Sequence, residues 1–273
     1  MNTCISSRHR RGQRGLAAAW LLLWLTLAAA LLALLGAGIG STGFESVLNA
    51  RQDPLAWQIV MDIRLPRTAA ALLAGGLLGL AGAVAQGVFR NPLADPYLLG
   101  SASGASLGVA LAMGALGVSP FALTGLARWG VTGAAFAGAV LAVVLTLVLA
   151  KGVQNTMRLL LAGVVVGVVL GAAASLVLLM NPDIMQAMQS FMLGSTAFAG
   201  WPACALMLWV LMPALVLACS LSRVLDGLAL GEATAHSLGL PLAPLRLLLI
   251  VLLALATGTA VAQTGLIAFV GLA

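Results

Sequence analysis

Charged side chains are scarce in this sequence. They hold 7% of its 273 positions, against 62% for hydrophobic residues. A water-soluble domain carries about 25% charged residues, so this chain has too little polar surface to face water over most of its length. Its solvent must be lipid. Only helix bundles and closed barrels cross lipid, because every backbone N–H and C=O has to be paired within the protein. Barrel strands would show as segments of about ten alternating residues. The long unbroken apolar blocks predict an all-α, polytopic transmembrane bundle instead.

Other absences narrow the function. Seven apolar blocks are long enough to cross, near the ~20 residues that a span needs: 16–38, 68–88, 98–117, 129–150, 159–180, 201–220 and 247–264. None contains Asp, Glu, Lys, Arg or His. Proton- and ion-coupled carriers place such groups at mid-membrane as their relay, so their absence argues against a proton-driven carrier. It also argues against an intramembrane hydrolase: Ser101 and Ser103 have no histidine in any block to activate them. No Gly-x-x-x-x-Gly-Lys-Ser/Thr loop is present, and the sole lysine, Lys151, follows Leu149-Ala150. The chain cannot itself cradle ATP phosphates. Cys4, Cys204 and Cys219 form no CxxC pair or even framework, and nothing calls for a metal or cofactor.

The basic excess of 13 to 7 reads as membrane anchoring rather than nucleic-acid binding. With the N-terminus in the cytoplasm, the inside segments 1–15, 89–97, 151–158 and 221–246 hold nine of the thirteen cations. The outside segments hold Arg51, Arg64, Arg67 and Arg128. That bias predicts an inside N-terminus, a cytoplasmic basic arm over 1–15 and a membrane domain from 16 to 273. The uncharged run after Arg14 is twice as long as a signal peptide's apolar region, which favours a retained first span.

Two glycine ladders recur every fourth residue, Gly100, Gly104, Gly108 and Gly163, Gly167, Gly171. That spacing puts each set on one helix face, where two backbones can approach closely or a pathway can run. An echo, Ala83-Val84-Ala85-Gln86 and Ala260-Val261-Ala262-Gln263, is compatible with an inverted repeat and equally with chance.

Polar material concentrates in four connections. Arg64-Leu65-Pro66-Arg67 makes a cationic rim on the outer side or a pair of snorkelling anchors. Gln86 to Pro96 carries two prolines that fix a turn, with Asn91 and Asp95 as caps. Leu228 to Leu240 reads as a short amphipathic helical hairpin on the inner side. Met188 to Thr196 is too short to cross and reads as a half-helix or re-entrant piece.

Together, in order, these stretches resemble the permease family of iron-chelate, haem and cobalamin ABC importers. The matching stretches are Arg64-Leu-Pro-Arg67, Gln86 through Gly100, Arg158-Leu-Leu-Leu-Ala-Gly163, Phe191-Met-Leu-Gly194, Leu230-Gly-Glu232 with Ser237-Leu-Gly239, and Gly265-Leu-Ile-Ala-Phe-Val-Gly271. The resemblance implies a homodimer in the bacterial inner membrane, two cytoplasmic ATPase subunits and a periplasmic substrate-binding protein. It implies docking of the binding protein at Arg64 and Arg67. It implies a cytoplasmic gate at Asn91, Pro92, Leu93 and Asp95, and ATPase coupling through Leu230, Gly231, Glu232, Ala235, Ser237, Leu238 and Gly239. Gly163, Gly167, Gly171, Met192, Gly194 and Ser195 would line the path. The family has ten spans, so about three are expected to be missing after Ala273. The competing readings are an ATP-independent carrier or channel and a non-transporting membrane assembly subunit.

Overall fold

The computed structural model describes residues 3–40, 43–44, 53–116, 126–229 and 241–272. The backbone groups into two compact units, Met1–Leu72 and Leu73–Ala273. Among the described residues, six helices are long and apolar enough to cross a membrane: Ala19–Gly38, Pro54–Phe89, Trp129–Leu149, Thr156–Met180, Trp201–Ser220 and Leu242–Thr264. A shorter apolar helix lies at Ser101–Ala115. These seven correspond to the seven expected blocks, and the chain is all-helical in architecture.

In the first unit, α1 runs Thr3–Gly38, so the basic stretch continues the first span as helical backbone. Its Leu- and Trp-rich surface is exposed from Trp20 to Leu35, as a lipid-facing span requires. A two-residue antiparallel pair, β1 (Ile39–Gly40) and β2 (Gly43–Phe44), follows. Helix α2, Pro54–Ile59, opens with Pro54 in its first turn and the Asp53 side chain accepting from Leu55 N at 3.0 Å. The chain then passes through a π-turn, Val60–Arg64, straight into α3, Leu65–Phe89. The sequence reads 54–67 as a connection because of its charges and prolines, whereas the structure makes it helix. Pro66 has no N–H and would clash with a carbonyl in a regular turn. The widened turn before it, where Leu65 N donates to Val60 O, relieves that conflict.

In the second unit, α4 (Ser101–Leu116), α5 (Leu126–Leu149) and α10 (Leu242–Thr264) form the centre. Around them stand α6 (Thr156–Met180), α7 (Met185–Leu193), α8 (Trp201–Ser220) and α9 (Ser222–Ala229). Ala105, Val109, Ala110 and Met113 of α4 are fully buried, as are Leu249, Leu253 and Ala256 of α10. By contrast, α6 exposes Leu161, Val164, Val168 and Leu179. Lipid is as apolar as leucine, so the hydrophobic effect does not hold spans together. Close packing of small residues does. The first ladder fits this: a Cβ on Gly104 would strike Gly138 O, and one on Gly108 would strike Ala134 O, both on α5.

The third span is shorter than the 98–117 block. Pro96–Leu99 winds as a 3-10 turn, and Gly100 closes it in the left-handed region at φ 81°. The α-helix therefore starts only at Ser101. The segment 188–196 is helical only as far as Leu193: α7 follows a 3-10 turn at Pro182–Ile184 and stops at Gly194, φ 66°.

Candidate functional site

Three non-helical pieces of the second unit converge. The first is the turn after α3. Arg90 leaves the helix with a left-handed backbone, φ 50°. Asn91 Oδ1 accepts from Leu93 N at 2.9 Å, and Ala94 N donates to Asn91 O at 3.0 Å. Asp95 Oδ1 accepts from Tyr97 N at 2.7 Å and caps the 3-10 turn, with Pro96 in its first turn. Pro92 closes the first of these turns next to Leu93, which projects at the tip, 75% exposed. These four residues thus form one stiff, twice-capped loop ending in an apolar knob.

The second piece is the segment after α10, Gly265 to Leu272. It is irregular until the short 3-10 turn at Val270–Leu272, and it lies against helices rather than beyond them. Gly271 packs onto α3 so closely that a Cβ on Gly82 would strike its carbonyl. Several of its backbone groups are matched by groups from other elements. Tyr97 Oη donates to Ile267 O at 3.1 Å. Gln86 Nε2 donates to Gly271 O at 3.4 Å, and Leu266 N donates to Phe191 O at 2.9 Å. Irregular backbone among spans is tolerated only where protein groups satisfy it in this way. Burial pushes the Tyr97 phenol well above its ordinary pKa, so it stays protonated and keeps donating through the physiological range. Tyr97→Phe removes that donor and strands the Ile267 carbonyl. The expected loss is about 1 kcal/mol, measured as a lower thermal unfolding midpoint in detergent.

The third piece is the end of α7. Ser195 N donates to Thr264 O at 2.6 Å, and a Cβ on Gly265 would strike Phe191 O. Two small cavities flank this junction. One, about 130 Å³, is lined by Ser190, Phe191, Ser195, Phe198 and Gln263 among others. Gln263 Nε2 is buried there with no hydrogen-bond partner among the described residues. The other, about 160 Å³, is lined by Ser103, Ser106, Gly171, Ser175 and Met192 among others.

The site residues named from sequence fall into distinct places. Asn91, Pro92, Leu93 and Asp95 share one loop. Gly171 and Met192 line one cavity, Ser195 the other, and Gly194 sits between, its space closed by Leu266 and Ile267. Gly163 is a packing contact: a Cβ there would strike Leu98 O. A Cβ on Gly167 would have Ser103 Oγ no nearer than 3.8 Å. In the first unit, Arg64 ends the π-turn, half-buried, and Arg67 is exposed one turn on. Leu230, Gly231, Glu232, Ala235, Ser237, Leu238 and Gly239 lie outside the described residues. Sequence reading missed Tyr97, Gln86 and the 265–271 return as structural partners. The only local signal was the pair of glycines, Gly265 and Gly271, bracketing an apolar stretch after a span.

The FecCD transport family model matches residues 22–273. The chain belongs to the FecCD transport family. Among FecCD relatives, a vitamin B12 import system permease protein, BtuC, of Salmonella paratyphi A is 40% identical over 227 residues. That alignment covers 82% of this chain and 66% of the relative. The hemin transport system permease protein HmuU of Yersinia pestis is 36% identical over 256 residues, covering 91% and 75%. The chain thus spans about two thirds of the length of the vitamin B12 permeases it matches. A solved metal-chelate type ABC transporter in an inward-facing conformation superposes with a TM-score of 0.80 at 29% identity, over 93% of this chain and 79% of that one. This FecCD chain is therefore a multi-pass membrane protein with the permease fold.

Proposed function

We propose that this FecCD chain is the permease subunit of a binding-protein-dependent ABC importer. It forms the path for an iron-chelate, haem or cobalamin across the bacterial inner membrane. The family match over residues 22–273 carries the reading, and the names of the two relatives give two of the substrate classes, cobalamin and haem. The chain's own chemistry agrees: no phosphate-binding loop and no acid–base relay within the interior of the spans. ATP hydrolysis then belongs to a cytoplasmic partner seated on the 230–239 segment, and a periplasmic binding protein docks at Arg64 and Arg67. The twice-capped loop of Asn91 to Asp95 acts as the inner gate, with Leu93 as its plug. Two copies face each other across the path, and the N-terminus lies in the cytoplasm.

The test is co-purification from cells that express the neighbouring ATPase and binding-protein genes, followed by a growth assay on single sources of iron-siderophore, haem or cobalamin. The reading expects a stable complex with the ATPase and growth on one source. Recovery of some other stable partner with no ATPase would favour an assembly subunit. Substrate crossing under an ion gradient alone would favour a carrier.

A further inference from the structure

Arg246 stands on the buried face of α10. Its neighbours on that face, Leu242, Leu249 and Leu253, are buried aliphatic side chains at helical spacing, and Arg246 itself is 3% exposed. A guanidinium so buried is costly unless its N–H groups find acceptors. Here Nη1–H is donated across to Gln154 O at 3.0 Å, in the turn that joins α5 to α6. That turn is held tightly. Lys151 and Gly152 adopt left-handed backbone, φ 57° and 104°, and Gly152 N donates to Leu147 O at 3.0 Å. Ala150 N donates to Thr146 O at 2.9 Å, which ties the turn to the end of α5. Thr146 carries the link onward. The hydroxyls of Ser106, Ser175 and Thr264 each donate to the carbonyl four residues back in their own helix. Thr146 Oγ1 instead donates to Leu99 O at 2.9 Å, 47 positions away, and Thr146 is fully buried. Leu99 ends the 3-10 turn that Asp95 caps, so the link arrives at the loop of Asn91 to Asp95.

We propose that Arg246 is a positioning residue for the inner gate. It fixes the α5–α6 turn to the first turns of α10, and through Thr146 that turn sets the 96–99 turn and the loop before it. Helix α10 begins at Leu242, just after the 230–239 segment. A displacement of that segment by an ATPase therefore reaches the loop through two side-chain hydrogen bonds, a role that rests on the permease reading above. An aliphatic side chain at 246 would pack against α5 without gripping a carbonyl of another element. Packed helices joined by buried hydrogen bonds carry coupling of this kind between distant sites, because neither the core nor the bond yields gradually.

Hydrogen–deuterium exchange of the full chain in detergent, paired with transport in proteoliposomes, tests it. Arg246→Met is expected to speed exchange about tenfold at 152–155 and at 93–99, and to leave 129–136, at the other end of α5, unchanged. Thr146→Val should speed exchange at 93–99 as well. Arg246→Lys, which keeps a cationic donor, should restore most of the protection. Transport is measured with a candidate importer ATPase and periplasmic binding protein from the same genome. There Arg246→Met and Thr146→Val should each lower the cargo taken up per ATP hydrolysed by about tenfold, and the double variant by no more than either alone. Ser220→Ala, which removes a hydroxyl bond to Leu217 O outside the link, should change neither readout. Faster exchange confined to 152–155 in Arg246→Met would overturn the proposal. So would an unchanged uptake ratio in both variants, or protection lost across the whole second unit in both, the mark of a folding role. A wild type that takes up no cargo with ATP would count against the permease reading instead, and the exchange pattern would then decide the link by itself.

Discussion

A single methyl group at Gly104 is expected to cost about 1–3 kcal/mol of stability. The same methyl at Gly171 is expected to cost nothing and to add up to about 1 kcal/mol. Both glycines sit inside helices and both belong to a four-residue ladder, so helix propensity treats them alike. Their surroundings differ. The new Cβ at Gly104 would run into the backbone carbonyl of Gly138, and a helix backbone cannot yield without moving α4 away from α5. At Gly171 the nearest atom is Ser103 Oγ at 3.7 Å, an ordinary contact. Gly104→Ala should lower the thermal unfolding midpoint in detergent, and Gly171→Ala should leave it level or raise it. Because Gly171 lines the 160 Å³ cavity, Gly171→Ala should still slow uptake if that cavity belongs to the path. Equal stability of the two variants would contradict the packing assigned to the first ladder.

If the binding protein docks at Arg64 and Arg67 as proposed, the double reversal Arg64→Glu with Arg67→Glu is expected to weaken that docking by about a hundredfold at low salt. The two sit three residues apart along a helical stretch, so they share one face. Of the two, Arg67 is the exposed one. The single variant Arg67→Glu should therefore act mainly on association rate and lose its effect as ionic strength rises and screening shortens the range of the charge. The half-buried Arg64 should show a salt-insensitive part, and Arg64→Glu should also lower thermal stability. Surface plasmon resonance against the binding protein across a salt series separates the two. Docking unaffected by the double reversal at every salt concentration would remove these arginines from the interface.

The spans were legible because lipid tolerates no long interruption in an apolar block, so composition alone marks them. Their ends were not. Asp62, Arg64, Pro66 and Arg67 look like a connection, yet a π-turn lets the helix run through them from Pro54 to Phe89. Pro96 and a left-handed Gly100 trim the third span from the other direction. The capping roles of Asn91 and Asp95 could be read locally, since an Asx side chain needs only a backbone N–H two residues on. The pairings that assemble the site could not. Tyr97 meets Ile267 across 170 positions, and Gln86 meets Gly271 across 185, and no local pattern encodes such a distance. The repeated Ala-Val-Ala-Gln shows the same limit. Identical tetrapeptides place Gln86 on the Gly271 carbonyl and Gln263 beside a cavity without a partner among the described residues.

The central claim is that this membrane conduit is driven from outside itself. Reconstitution with a candidate importer ATPase and periplasmic binding protein from the same genome, in proteoliposomes loaded with ATP, tests that most directly. Uptake of the binding protein's cargo should require ATP and binding protein together, with hydrolysis stimulated when the loaded binding protein is present. Uptake that proceeds without ATP, or hydrolysis that ignores the binding protein while no cargo crosses, would contradict it.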